Sequence, residues 1–176
     1  MQLASTQWIY VGLTLAVGVG AGVQASLLGA MGRDRGPLEA GWVSILGTVV
    51  GAAVFLAVRS ARGDALLPSP FDRPWVFVAV ALVTTALLLL SMRELGAYFA
   101  ITGLFGLAVI VSAAFVGPRL GVAVFIASLI AGQMFAALVL DHVGAFGADV
   151  QRATVMRVAG VGVLLLGVAL MRGGGD

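Results

Sequence analysis

Gln24 and Gln133 are each the lone amide of a long apolar stretch, and each lies beside a row of small residues. A side-chain amide carries two donors and an acceptor oxygen. In such a place it either hydrogen-bonds a polar solute in a cavity or joins neighbouring helices, the latter for about 0.6–2 kcal/mol. Both readings stay open. Beside Gln133 the row is Ser128, Gly132 and Ala136; beside Gln24 it is Gly18, Gly22, Ser26 and Ala30. A repeat every four residues lines up on one helix face and lets another backbone come close. Phe105, Phe125 and Phe135 are candidate walls of the same cavity, or plain core and lipid contacts.

Asp141 and His142 are adjacent at the end of an apolar stretch. Imidazole titrates near neutral pH, so the pair is a candidate for proton handling. The plainer reading is an interfacial anchor, which also suits Glu94 and Arg157. No Asp, Glu, His, Lys or Arg falls in the middle of any apolar stretch. A proton relay built from intramembrane charges therefore lacks its residues. No nucleophile elbow, no HExxH and no phosphate-binding glycine loop is present. With no cysteine there is no thiolate metal site and no disulfide. The sequence predicts a protein that is not an enzyme and has no cofactor or metal.

What positions these residues is a set of apolar segments. Hydrophobic residues make up 61% of the 176 and charged residues 10%, with mean hydropathy +1.11. Soluble domains do not reach such values. The ten basic residues are all arginine. They sit in short connections, as anchors at the headgroups rather than a nucleic-acid footprint. The start of the chain has no basic region and no cleavage site, so the first apolar stretch should stay as a helix.

A helix rises ~1.5 Å per residue, and about twenty residues span the ~30 Å hydrocarbon core. Six such segments are predicted, at 8–30, 40–58, 74–92, 97–116, 121–140 and 155–171. They form one all-α transmembrane domain over 1–176. Pro37 suits the first turn of the second helix, after a charged loop over 32–39. Gly47 and Gly51 form a GxxxG pair within that helix, where Ser44 and Thr48 can bond back to helix carbonyls. The third segment holds only Thr84 and Thr85 as polar residues in its interior and reads as peripheral. Residues 93–96 form a hinge, and a turn at Gly117-Pro118-Arg119 precedes the fifth segment.

Arginines give the topology no bias. With six spans, Arg59, Arg62, Arg73, Arg119 and Arg172 fall on one side, and Arg33, Arg35, Arg93, Arg152 and Arg157 on the other. An even division leaves the positive-inside rule nothing to read. Dual insertion with antiparallel pairing accounts for that; so does a miscounted span.

Two blocks of the chain resemble a known family. They are residues 18–52, GVGAGVQASLLGAMGRDRGPLEAGWVSILGTVVGA, and residues 118–147, PRLGVAVFIASLIAGQMFAALVLDHVGAFG. Their PRLG, AGQ and LDHVGAFG elements are the more specific. The chain resembles the YdcZ-like small membrane proteins of the drug/metabolite transporter superfamily. The resemblance implies a five-helix unit that pairs, or is fused, into ten-helix transporters with inverted halves. Against that pattern, 74–96 reads as an extra segment. The glutamate that small multidrug exporters of this superfamily use for proton coupling is missing, and Gln24 occupies its general region.

The expected function is a transporter subunit moving a small organic solute by alternating access in a bacterial inner membrane. It would act as a homodimer, antiparallel or otherwise, or beside a related subunit, within the lipid bilayer and without nucleic acid. The expected substrate contacts are Gln24, Gln133, Ser128 and Gly132, with Gly18, Gly22, Gly47 and Gly51 packing helices. The alternative is a membrane scaffold that transports nothing.

Overall fold

The structure, a computed structural model, describes residues 2–64 and 66–173, with side chains between Thr6 and Arg172 except Ala65. It is all-helical. The helices are α1 (Gln2–Arg35), α2 (Pro37–Ala61), α3 (Pro74–Ser91), α4 (Thr102–Leu120), α5 (Val122–Val143) and α6 (Val155–Gly173), with short 3-10 turns at Ala97–Ile101 and Ala145–Gly147. Among the described residues, six helices are long and apolar enough to cross a membrane. Many large apolar side chains on them are exposed, Ile9, Leu82, Val163 and Leu170 among them. In a bilayer those surfaces meet acyl chains rather than water.

Two connections differ from the expected ones. The predicted loop over 32–39 shrinks to Gly36, with α1 running to Arg35 and α2 starting at Pro37. Nothing in Met31–Arg35 forbids helix, and Arg33 and Arg35 suit the negative end of the α1 dipole. Gly36 makes the break at φ 102°, a conformation that costs other residues far more. The predicted turn at Gly117-Pro118-Arg119 is also displaced. Helix α4 continues through Pro118 to Leu120, and the chain reverses at Gly121 with φ 82°. Proline disrupts a helix chiefly through its missing N–H and its clash one turn back. Both fall on the Ala114 carbonyl, which gets no N–H from Pro118, and the helix nonetheless runs on for two residues to Leu120. Arg119 donates from its guanidinium to the Phe115 carbonyl and stacks 3.8 Å above that ring.

The sequence reads as one continuous transmembrane domain, and its contacts group into two compact units: residues 1–30 with 108–176, and residues 31–107. In the first unit, Val11, Ala131 and Val168 form a buried cluster, joined by Leu15, Leu120, Val124 and Ala127. In the second, α2 packs lengthwise on α3, and the Trp42 indole N–H donates to Ser91 Oγ at 3.1 Å. Helix α3 buries only Phe77 and Leu88, in keeping with a largely lipid-facing helix.

Candidate functional site

The first unit gathers most of the predicted site along one seam between α1 and α5. Gly18 lies on the backbone of Leu129 and Gln133; a Cβ there would come 3.1 Å from Gln133 N. Gly22 lies on Ala136 and Gln133, where a Cβ would come 2.7 Å from Ala136 Cβ and 2.8 Å from the Gln133 carbonyl oxygen. From the other side, Gly132 meets the backbone of Leu15, its Cβ position 3.1 Å from Leu15 Cα. The contact is glycine on backbone in both directions, as a small-residue ridge predicts.

Ser128 is fully buried on the same face, and its hydroxyl donates to the Val124 carbonyl at 2.7 Å. Ser128 and Gly132 thus pack the seam in this conformation. Gln133 is half-buried at the edge of the seam, with its backbone against α1.

Gln24 is placed differently. It is half-buried, but at ~100° per residue it stands about 200° round α1 from Gly22. Gly18 and Gly22, not Gln24, therefore face α5. The expectation that Gln24 lies beside the glycine ridge is corrected: counting only every fourth residue for the ridge hides that i+2 points away.

In the second unit, Gly47 and Gly51 pack helices as expected. A Cβ on Gly47 would lie 3.1 Å from the Ala100 carbonyl oxygen and 3.2 Å from Gly103 Cα, while Gly51 meets the side chains of Leu104 and Leu107. Thr48 spans the same junction. Its hydroxyl is 3.0 Å from the Ser44 carbonyl oxygen in its own helix and 3.0 Å from that of Gly103 in α4. Gly103 as partner of Gly47 was not legible beforehand, because nothing in one helix says which glycine of another it meets.

Asp141 and His142 belong to a strap that folds the loop after α5 back onto that helix. Gly144, at φ 62°, caps α5, and the Asp141 carbonyl accepts from the N–H groups of Gly144 and Gln151, the latter at 2.8 Å. His142 Nδ1 accepts the Ala153 N–H at 3.1 Å, so that nitrogen carries no proton in this arrangement. The Asp141 carboxylate pairs with Arg157 at 3.8 Å, and Arg157 also donates to Gln151 Oε1 at 2.7 Å. Arg157, expected only as an interfacial anchor, therefore binds the two ends of the loop together. Opposite charges flanking one short loop were the available signal.

Beside the strap, α5 and α6 leave a half-open groove of about 350 Å³, lined by Met134, Ala137, Leu138, Asp141, Arg157, Gly160, Val161 and Leu164. Gln24, Gln133, Ser128 and Gly132 are not among its lining residues.

A sequence model of the family described as "Putative inner membrane exporter, YdcZ" matches residues 74–170, more than half of the chain. The chain belongs to the YdcZ family. It is an integral inner-membrane protein, and its family points to a transporter. The match begins at the first residue of α3, so the YdcZ-like part includes that helix. The expectation that 74–96 is an extra segment is corrected accordingly. The glycine-rich face of α5, Gln133, the strap and the groove all lie inside the YdcZ match, and Gln24 lies before it. No curated protein and no solved structure matches the chain.

Proposed function

We propose that this YdcZ-family chain is a non-enzymatic transporter subunit that exports a small organic solute by alternating access, acting as a homodimer. The observation that supports it most is the family match over 74–170, which contains α5 with its half-buried amide and glycine-lined face. The α1–α5 seam suits such a cycle. Glycine-on-backbone contacts do not interlock long side chains, so the seam can part without breaking a jigsaw of rotamers. Once parted, Gln133 and Ser128 offer hydrogen-bonding groups in an apolar surround, and Gly132 leaves room beside them. Gln24 contributes its amide from another face of α1.

The even division of arginines favours dual insertion and antiparallel pairing of two copies. Asp141–His142 is the place where such a cycle would handle a proton, since His142 Nδ1 accepts the Ala153 N–H that holds the strap.

The test is solute efflux from proteoliposomes, scored against an untransported control. Gln133→Leu should lower flux about tenfold or more, the equivalent of ~1.4 kcal/mol, while leaving folding and assembly intact. Background flux for the wild type over a broad panel of solutes, with Gln133→Leu altering assembly instead, would favour a scaffold. Reporters on the chain's end that respond separately to the two sides of the membrane test dual insertion.

A further inference from the structure

The groove between α5 and α6 joins an apolar trough to an ion pair at one end. We infer that it is a binding site for a phospholipid with a zwitterionic head, held by Asp141 and Arg157 with one acyl chain along the trough. Met134, Leu138, Val161 and Leu164 form apolar walls, and Gly160 leaves the floor open. Apart from its chain neighbours and the backbone of its own helix, nothing lies within 4 Å of where a Gly160 Cβ would be. From Met134 to Asp141 the trough runs about 10 Å along α5, enough for the upper part of an acyl chain. Met134 and Leu164 are 45% and 38% exposed, so the trough is open along its side, as entry of a chain from the bilayer requires.

The polar end has the matching chemistry. Arg157 and Asp141 are 3.8 Å apart, with their side chains 42% and 47% exposed. A saturated charge-assisted hydrogen bond is about 1 Å shorter. Each group thus keeps hydrogen-bonding capacity, Arg157 beyond its bond to Gln151 and Asp141 on its carboxylate. A phosphate next to Arg157 and an ammonium next to Asp141 would use both without leaving either charge unmatched. The charges stand at the ends of two membrane-crossing helices, α5 at its last turn and α6 at its first. Headgroups lie at that level when a helix spans the bilayer. The remaining charged and titratable groups of the loop, His142, Asp149 and Arg152, are exposed and do not line the groove.

Native mass spectrometry of the purified chain tests this, with phosphatidylethanolamine, phosphatidylglycerol and diacylglycerol of identical acyl chains. The expected result is retention of phosphatidylethanolamine about tenfold above the other two, a factor within reach of two charge-assisted hydrogen bonds. Asp141→Asn with Arg157→Gln should bring it down to the diacylglycerol level. Gly160→Leu fills the trough while keeping both charged residues, and should abolish retention at an unchanged melting temperature. Equal retention of diacylglycerol, or retention that survives Gly160→Leu, would overturn the site. Equal retention of phosphatidylglycerol would overturn the role of Asp141. Water-soluble glycerophosphoethanolamine binding as tightly as the lipid would overturn the lipid as occupant and point to a free zwitterion.

Discussion

Gly103 and Gly47 meet backbone to backbone where α4 crosses α2, close enough that a Cβ on Gly47 would lie 3.2 Å from Gly103 Cα. A Cβ on Gly103 would run into the Gly47 and Thr48 main chain. Backbone cannot rotate away as a side-chain tip can, so the helices must separate. Gly103→Ala should therefore destabilise by about 1–3 kcal/mol, the usual cost of overpacking. Gly41→Ala, which has no atom within 4 Å of the new methyl, should be neutral or slightly stabilising through helix propensity. Melting curves in detergent compare the two.

Thr48 tests the hydrogen bond over the same junction. Thr48→Val keeps the shape and removes the hydroxyl shared between the Ser44 and Gly103 carbonyls. The Ser44 carbonyl sits in a helix ladder, so the bond across to α4 is the one that matters. A loss of about 0.6–2 kcal/mol is expected, and in combination with Gly103→Ala the two effects should not add, because they act on one contact.

The strap predicts a local effect. His142→Ala deletes the acceptor of the Ala153 N–H and should speed hydrogen exchange at that amide and at Gln151 by about fivefold to tenfold, as loss of ~1 kcal/mol implies. Exchange in the middle of α5 should not change. Uniform acceleration along α5 would show that His142 supports the helix itself.

Gly121 carries the whole reversal between α4 and α5 at φ 82°. Its Cβ position is empty of neighbours, so any penalty for Gly121→Ala comes from the backbone alone. The expected cost is about 1–2 kcal/mol. Gly12→Ala, inside α1 with the same open space and an ordinary helical backbone, should cost nothing.

The sequence by itself determined the class, the number of spans and most of the faces by which helices touch. Six apolar segments of bilayer length can hide their backbone polar groups only as helices. Glycines at i, i+4 spacing mark the faces where helices touch, and Gly18, Gly22, Gly132, Gly47 and Gly51 all do. Local signals also placed Pro37 at the start of α2.

Tertiary structure decided what depends on pairing. Which ridge meets which, Gly18 and Gly22 on α5 and Gly47 on Gly103, is not encoded in either helix alone. The angular position of Gln24, away from the α5 face, follows from which side of α1 became the seam. The turn settled at Gly121 rather than Pro118 because the reversal needs a positive φ, which glycine adopts freely and proline's ring forbids. The groove beside Asp141 and Arg157 exists only because the loop folds back, bringing together residues sixteen positions apart. One-dimensional patterns report faces and lengths; partners, and the spaces left between them, arise only once those faces have chosen each other.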